Sequence, residues 1–251
     1  LLPMIIALNL SKGSLSMSRH GVIVKRLSAI QNFGSMDLLC TDKTGTLTED
    51  NIALIKYVDI QNQPLEDIFK YSYISSSFRS GFHNALDAAV QSYKRLDIGS
   101  YEKLDEIPFD FTRKRDSVVV KDEDTVFMVS KGAPEEMRKV CNTVGLAGQP
   151  FTAEQDAAYM STYNRLSGEG YRVLAVTVKS FDRVKDSFSI SDEVNMQFLG
   201  FIAFLDPAKQ SVTETLERLE EYGVAIKIIT GDNELVTQKI ARDIHLSVQG
   251  V

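Results

Sequence analysis

Cysteine is nearly absent. Cys40 and Cys141 stand alone in 251 residues, and no CxxC pair or histidine-rich spacing accompanies them. That excludes a disulfide framework and fits a reducing compartment. His83 and His245 have no second ligand at metal spacing and read as ordinary surface or core residues. A basic excess is missing too: 28 Lys and Arg stand against 34 Asp and Glu, for a net charge of −6. That balance argues against a nucleic-acid surface. No hydrophobic run is long enough to span a bilayer. The opening LLPMIIALNL has ten residues, where a spanning helix needs about 20, and it lacks the basic start and cleavage site of a signal peptide. It reads either as a buried core segment or as the end of a membrane helix. The rest of the composition, 43% hydrophobic and 25% charged, is that of a globular chain able to build real cores.

Along the chain, residues 4–19 read as a helix stopped near Gly21, and Leu27–Phe33 as a short helix closed by Gly34. MDLLC is a compact apolar run of the buried parallel-strand kind, which makes Cys40 a small core residue. From Ile52 the texture changes. IALIKYVDI reads as a strand, Leu65–Ser77 and Asn84–Leu96 as helices, and SVVVK and TVFMVSK as a hairpin turning at Asp122–Asp124. Pro134–Cys141 and Thr152–Leu166 read as helices and Tyr171–Lys179 as a strand, an α+β mixture. At Phe198 strand–helix alternation returns. FLGFIAFLD is an apolar strand, a helix runs from Pro207 to Tyr222 with Gly223 as its cap, VAIKIIT is a strand, and GDNELVTQKIARDI opens a helix. Short loops in that order imply parallel βαβ packing. MDLLC and FLGFIAFLD then share one sheet, and residues 52–197 form an insertion.

In a parallel sheet, ligands bind beyond the carboxyl ends of the strands. Asp42 sits at such an end in CTDKTGTLT, where Gly45 allows a turn whose N–H groups face a phosphate. Lys43 adds a positive charge, and Thr44 and Thr46 add hydroxyls. A carboxylate so placed can act as a phosphate-accepting nucleophile, forming an aspartyl phosphate.

The string DKTGTLT, together with KGAPE at Lys131–Glu135, DPAK at Asp206–Lys209 and TGDN at Thr230–Asn233, resembles the P-type ATPase family over essentially the whole chain. DPAK departs mildly from the family's DPPR-type motif at Ala208 and Lys209. The resemblance implies an α/β fold: a haloacid-dehalogenase-like parallel-sheet phosphorylation domain interrupted by an inserted α+β nucleotide-binding domain. The implied boundaries are 1–36 for the end of a membrane helix and stalk, 37–51 and 198–251 for the phosphorylation domain, and 52–197 for the nucleotide domain. It implies that Asp42 accepts the γ-phosphate of ATP, with Lys43, Thr44, Thr230, Gly231 and Asp232 around the phosphate and Asp206 nearby. Mg²⁺ would take the Asp42 carboxylate and the Thr44 carbonyl as ligands, in keeping with its preference for oxygen. Related soluble phosphatases carry a general acid–base Asp where this chain has Thr44, so water attack on the acyl phosphate is expected to be slow. By the same resemblance Phe111 stacks on adenine, Arg113 contacts phosphate or ribose, Lys131 and Gly132 line the adenine pocket, Arg172 bridges ATP toward the phosphorylation site, and Asp87 fits a weaker acidic position. The family's GDGxND motif, with its second magnesium carboxylate and the Lys before it, is not in the chain. The isolated segment is therefore expected not to be phosphorylated efficiently by ATP.

SAIQNFG, DLLCTDKTGTLT, DEIPFDFTRKRDSVVV and FIAFLDP look especially like the bacterial magnesium-importing members. Pro3 then matches an LP pair in the fourth membrane helix. The implied setting is the bacterial inner membrane, with this region facing the cytoplasm and the transported cation passing through a membrane domain outside this chain. A calcium or proton pump shares the same headpiece chemistry. A soluble phosphohydrolase is a further alternative, but it would want Asp at position 44 and no KGAPE. A non-catalytic nucleotide-binding module is disfavoured by the presence of Asp42, Lys131 and Asp232.

Overall fold

The computed structural model describes residues 1–49, 51–80, 84–231 and 233–246. In chain order the elements are α1 (Leu2–Arg19), α2 (Ala29–Phe33), β1 (Leu38–Asp42), β2 (Ala53–Val58), α3 (Glu66–Phe78), α4 (Ala85–Tyr93), β3 (Tyr101–Asp110), β4 (Arg115–Asp122), β5 (Thr125–Gly132), α5 (Pro134–Arg138), β6 (Cys141–Val144), β7 (Gln149–Pro150), α6 (Ala153–Gly168), β8 (Arg172–Phe181), β9 (Met196–Leu205), α7 (Gln210–Glu221), β10 (Ala225–Ile229) and α8 (Glu234–Asp243). They form two compact units: Leu1–Lys43 with Gln210–Ile229, and Thr44–Lys209 with Thr230–Val251.

The first unit is built on a parallel pair. Leu38 to Asp42 of β1 run beside Ala225 to Ile229 of β10 in register, as the apolar runs MDLLC and VAIKIIT predict. Between them α7 buries Val212 and Leu216, one turn apart on one face. Gly223 ends the helix region at φ +75°, a left-handed conformation suited to glycine. The chain then enters β10, where Ala225 N–H donates to the Asp37 carbonyl at 2.8 Å. The helix expected from Pro207 starts only at Gln210, because Ala208 pairs with Thr48 and Lys209 N–H donates to the Leu47 carbonyl at 2.9 Å. Cys40 is exposed rather than buried in a core, since within β1 only Thr41 is buried and the two-stranded ribbon leaves its other side chains open. No residue of α1 is buried. Among the described residues, no helix is long and apolar enough to cross a membrane.

The second unit is organised by an eight-stranded mixed sheet in the order β3-β4-β5-β8-β9-β6-β7, with β2 also paired to β9. The hairpin β4–β5 turns at Glu123, in a left-handed conformation (φ +53°). All pairings are antiparallel except β6 with β9. FLGFIAFLD is therefore the central strand of this sheet, not a strand of the parallel pair. Its continuous apolar run reports burial on both faces, and a central strand between two helical layers needs that whichever way its neighbours run. One face packs Tyr159, Tyr163 and Leu166 of α6 and Met137 of α5 against Phe198, Phe201 and Met128. The other packs Ile68, Phe69 and Ile74 of α3 and Val90 of α4 against Val118, Val120, Val129 and Phe204. The alternation along SVVVK splits Val118 and Val120 from Val119, as period-2 geometry requires. At Gly200 the sheet and α3 approach so closely that a β-carbon would lie 2.2 Å from Ile68 Cδ1 and 2.4 Å from the Val58 carbonyl oxygen.

Candidate functional site

In the first unit, Asp42 is the last residue of β1 and stands at the carboxyl end of the parallel pair, opposite Ile229. Its side chain is exposed, and its Oδ1 accepts the Lys43 N–H at 2.8 Å. Lys43 is buried.

In the second unit, Thr44 is exposed and Gly45 turns the backbone at φ +75°. The loop is then fastened to the residues after β9. The Thr48 hydroxyl accepts the Gly45 N–H at 3.2 Å and donates to Asp206 Oδ2 at 2.7 Å. Lys209 Nζ donates to the Gly45 carbonyl at 2.6 Å, and Glu49 N–H to the Pro207 carbonyl at 2.8 Å. DKTGTLT and DPAK, 158 residues apart at Thr48 and Asp206, are thus joined by side-chain contact. Thr230 is half-buried and Gly231 exposed. Asp232 and His83 lie outside the described residues, and His245 is exposed. Asn233 caps α8 by accepting the Leu235 N–H at 2.8 Å and donates to the Tyr163 hydroxyl at 2.7 Å.

The register of the mixed sheet brings most nucleotide candidates to one end. Asp110 pairs with Arg115, Arg115 with Gly132, Gly132 with Ala175, Arg172 with Phe204, and Leu205 with Ala53. The turn carrying Phe111 and Arg113, the end of β5 carrying Lys131 and Gly132, the start of β8 carrying Arg172, and Asp206 after β9 all lie there. Phe111 is 87% exposed, a large cost for an aromatic ring with nothing to cover it, and Phe109 stands edge-on to it at 5.3 Å.

Lys131 is 4% exposed and sits in an ionic cluster. Its Nζ donates to Asp87 Oδ1 and to the Ser76 hydroxyl, both at 2.6 Å. Arg79 Nη1 donates to Asp87 Oδ2 at 2.8 Å and lies 3.1 Å from Asp116. Asp116 faces Lys131 directly across the β4–β5 ladder, on the same side of the sheet. Two acids and two bases balance, as buried charges require. Burial alone would raise the Asp87 carboxyl, but Lys131, Ser76 and Arg79 outweigh it and hold the group below the usual carboxylate range. Burial dominates at Asp116 and pushes its carboxyl up, against the pull of Lys131 and Arg79. Asp87 is placed by the start of α4, where its N–H donates to Asn84 Oδ1 at 2.8 Å.

Gly132 has a packing reason of its own: a β-carbon there would lie 2.5 Å from Arg115 Cβ and 2.6 Å from the Lys114 carbonyl oxygen. Arg113 points inward. Its Nη1 donates to both oxygens of the fully buried Glu193, at 2.7 and 2.6 Å. Ser76, Arg79, Asp116 and Glu193 are not among the residues singled out from the sequence. Among the described residues, no group of three or more His, Cys, Asp or Glu is gathered to hold a metal. A hard cation would rely on carboxylate and carbonyl oxygens supplemented by phosphate and water.

The family model described as P-type ATPase, cytoplasmic domain N, matches residues 32–211. The chain is 39% identical over 259 residues to the magnesium-transporting ATPase, P-type 1, of Salmonella typhimurium, covering 100% of this chain and 29% of that protein. It is 39% identical over 254 residues to the protein of the same name from Escherichia coli K12, covering 98% and 28%. It is 28% identical over 246 residues to a probable plasma membrane ATPase of Dictyostelium discoideum, covering 96% and 22%. The chain spans less than a third of the length of each of these relatives.

Proposed function

The chain belongs to the P-type ATPases, and from that premise we propose that it is the ATP-binding and phosphate-accepting headpiece of a cation pump that imports Mg²⁺. The observation that carries the reading is the gathering of Phe111, Lys131, Gly132 and Arg172 at one end of the mixed sheet. The adenine stacks on the exposed face of Phe111, where the turn already holds the ring out of the core. Lys131, at the end of β5, is tied to Asp87 so that its position is set before ligand arrives. Gly132 keeps the strand thin beside Arg115. Arg172 serves the phosphates.

In the phosphorylation half, HAD-like in this proposal, an Asp42 oxygen attacks the γ-phosphorus, the bond to the β,γ-bridging oxygen breaks, and ADP leaves. Lys43, Thr44, Thr230, Gly231 and Asp232 are assigned to the transferred phosphate by the family motifs they match. When bound, Mg²⁺ offsets the charge of the phosphate oxygens, and the Asp42 carboxylate and Thr44 carbonyl are hard oxygen donors that fit it. Thr44 offers no carboxylate to activate water, which favours a phosphoenzyme that outlasts a conformational change. In the whole protein the headpiece faces the cytoplasm from the bacterial inner membrane.

Magnesium is favoured as cargo because the relatives named for it are 37–39% identical, against 27% for a calcium-transporting relative from Listeria monocytogenes. Phe111→Ala tests the nucleotide reading. Calorimetric titration with ATP should show affinity weakened by about 1 kcal/mol, the scale of an aromatic stack. Unaltered affinity rejects it.

A further inference from the structure

We infer that Glu193 is a positioning residue for nucleotide binding: it pins the turn 111–114 from beneath and thereby sets the ring of Phe111. The inference rests on the reading of Phe111 as the adenine platform. Glu193 follows a single helical turn, Ile190–Asp192, on the connection into β9, about eighty residues from the turn it holds. It is fully buried, which is expensive for a carboxylate unless every lone pair is used. Here they are used. Oε1 accepts from Arg113 Nη1 at 2.7 Å and from the Ser117 hydroxyl at 2.6 Å. Oε2 accepts from Arg113 Nη1 at 2.6 Å and from Arg115 Nε at 2.8 Å.

The same Arg113 closes the turn on its other side, donating from Nη2 to the Pro108 carbonyl at 2.6 Å. Asp110 Oδ1 accepts the N–H groups of Thr112 and Arg113, each at 2.9 Å, and Lys114 N–H donates to the Asp110 carbonyl at 2.7 Å. The six residues from Pro108 to Arg113 are therefore clamped at both ends, with Phe111 at the tip. Nothing in the core holds the ring: it is 87% exposed and touches only Phe109 edge-on among the aromatic contacts of the described residues. Its direction is set by the backbone under it, and that backbone is set by Arg113 on Glu193. Two guanidinium groups share one carboxylate, so one net positive charge remains beneath the turn, which suits an anionic ligand. Fixing an exposed aromatic before binding avoids ordering it at the moment of binding, which is how a residue outside the contact surface raises affinity.

The test is a double-mutant cycle on the full 251-residue chain, titrated with a fluorescent trinitrophenyl-ATP. Glu193→Gln should weaken binding about fivefold when Phe111 is present, and less than about twofold when Phe111→Ala is also present. A general loss of structure would weaken both backgrounds equally, and that outcome overturns the inference. Wild-type affinity in Glu193→Gln while Phe111→Ala weakens binding also overturns it, leaving the adenine reading intact. No effect of Phe111→Ala overturns the adenine reading itself. Should Glu193→Gln fail to fold, Arg113→Lys replaces it, because Glu193 then keeps Arg115 and Ser117. A single ammonium cannot span the carboxylate and the Pro108 carbonyl as the fork does. The same dependence on Phe111 is expected, and wild-type affinity in Arg113→Lys sinks the proposal.

Discussion

Replacing Lys131 by Met removes the ammonium from a site that is 4% exposed and keeps the aliphatic bulk. Asp87 then loses its 2.6 Å partner and keeps only Ser76 and Arg79. Asp116, directly opposite in the ladder, loses a cation as well. Breaking a buried pair from one side costs about 3–5 kcal/mol. For a unit of this size each kcal/mol moves the melting temperature by about 2–4 °C, so a fall of roughly 6–20 °C is expected. The pH dependence gives the sharper reading. In the wild type the Asp87 carboxyl is held low, so its contribution to stability is present above its unfolded pKa, about 3.9, and is lost as pH falls through its lower folded value. Without Lys131 the burial that works against ionisation is left less opposed, and the Asp87 pKa rises. Protonation then relieves the unpaired charge, so the gap between wild type and variant should narrow from pH 7 to pH 4.5. Thermal unfolding followed by circular dichroism at both pH values measures this. An equal gap at the two pH values, or a loss below about 1 kcal/mol, would refute the assignment of a tightly coupled buried pair.

Gly200→Ala should destabilise by about 1–3 kcal/mol, the usual cost of overpacking, because its β-carbon meets Ile68 and the Val58 carbonyl at 2.2 and 2.4 Å; urea unfolding measures it, and an unchanged midpoint contradicts the close approach of α3 to the sheet. The two thiols should separate cleanly with Ellman's reagent at pH 8: Cys40 is exposed and reacts at once, whereas Cys141 is buried, with its thiol pushed up to about 12, and reacts only on unfolding. Two fast equivalents would contradict the burial of β6.

Much of this was legible from residues alone. The hairpin turn at Asp122–Asp124 sets a register in which Asp116 must face Lys131 and Arg115 must face Gly132. That Asp116 stands opposite Lys131, and Gly132 beside Arg115, could therefore have been read from the turn. The parallel partnership of MDLLC with VAIKIIT followed from their apolar runs and the helix between them. FLGFIAFLD misled because a run without alternation reports two covered faces, and both a parallel strand and a central mixed-sheet strand satisfy that. Cys40 misled because an apolar neighbourhood in sequence does not supply a covering layer in space. Glu193 was invisible. It lies in a polar stretch before β9 with no periodicity, and its partners sit about eighty residues upstream. Arg113 reads from the sequence as a phosphate or ribose contact, and nothing near it in the chain points to the buried carboxylate it meets.

Asp42 is the residue on which phosphate transfer from ATP depends in the proposed reaction. A full-length protein carrying this segment should be incubated with [γ-³²P]ATP and Mg²⁺, quenched in acid, digested and mapped by mass spectrometry. The expected result is one hydroxylamine-labile phosphate on the peptide containing Asp42, abolished by Asp42→Asn. Phosphate on another peptide, or undiminished labelling in Asp42→Asn, would contradict it.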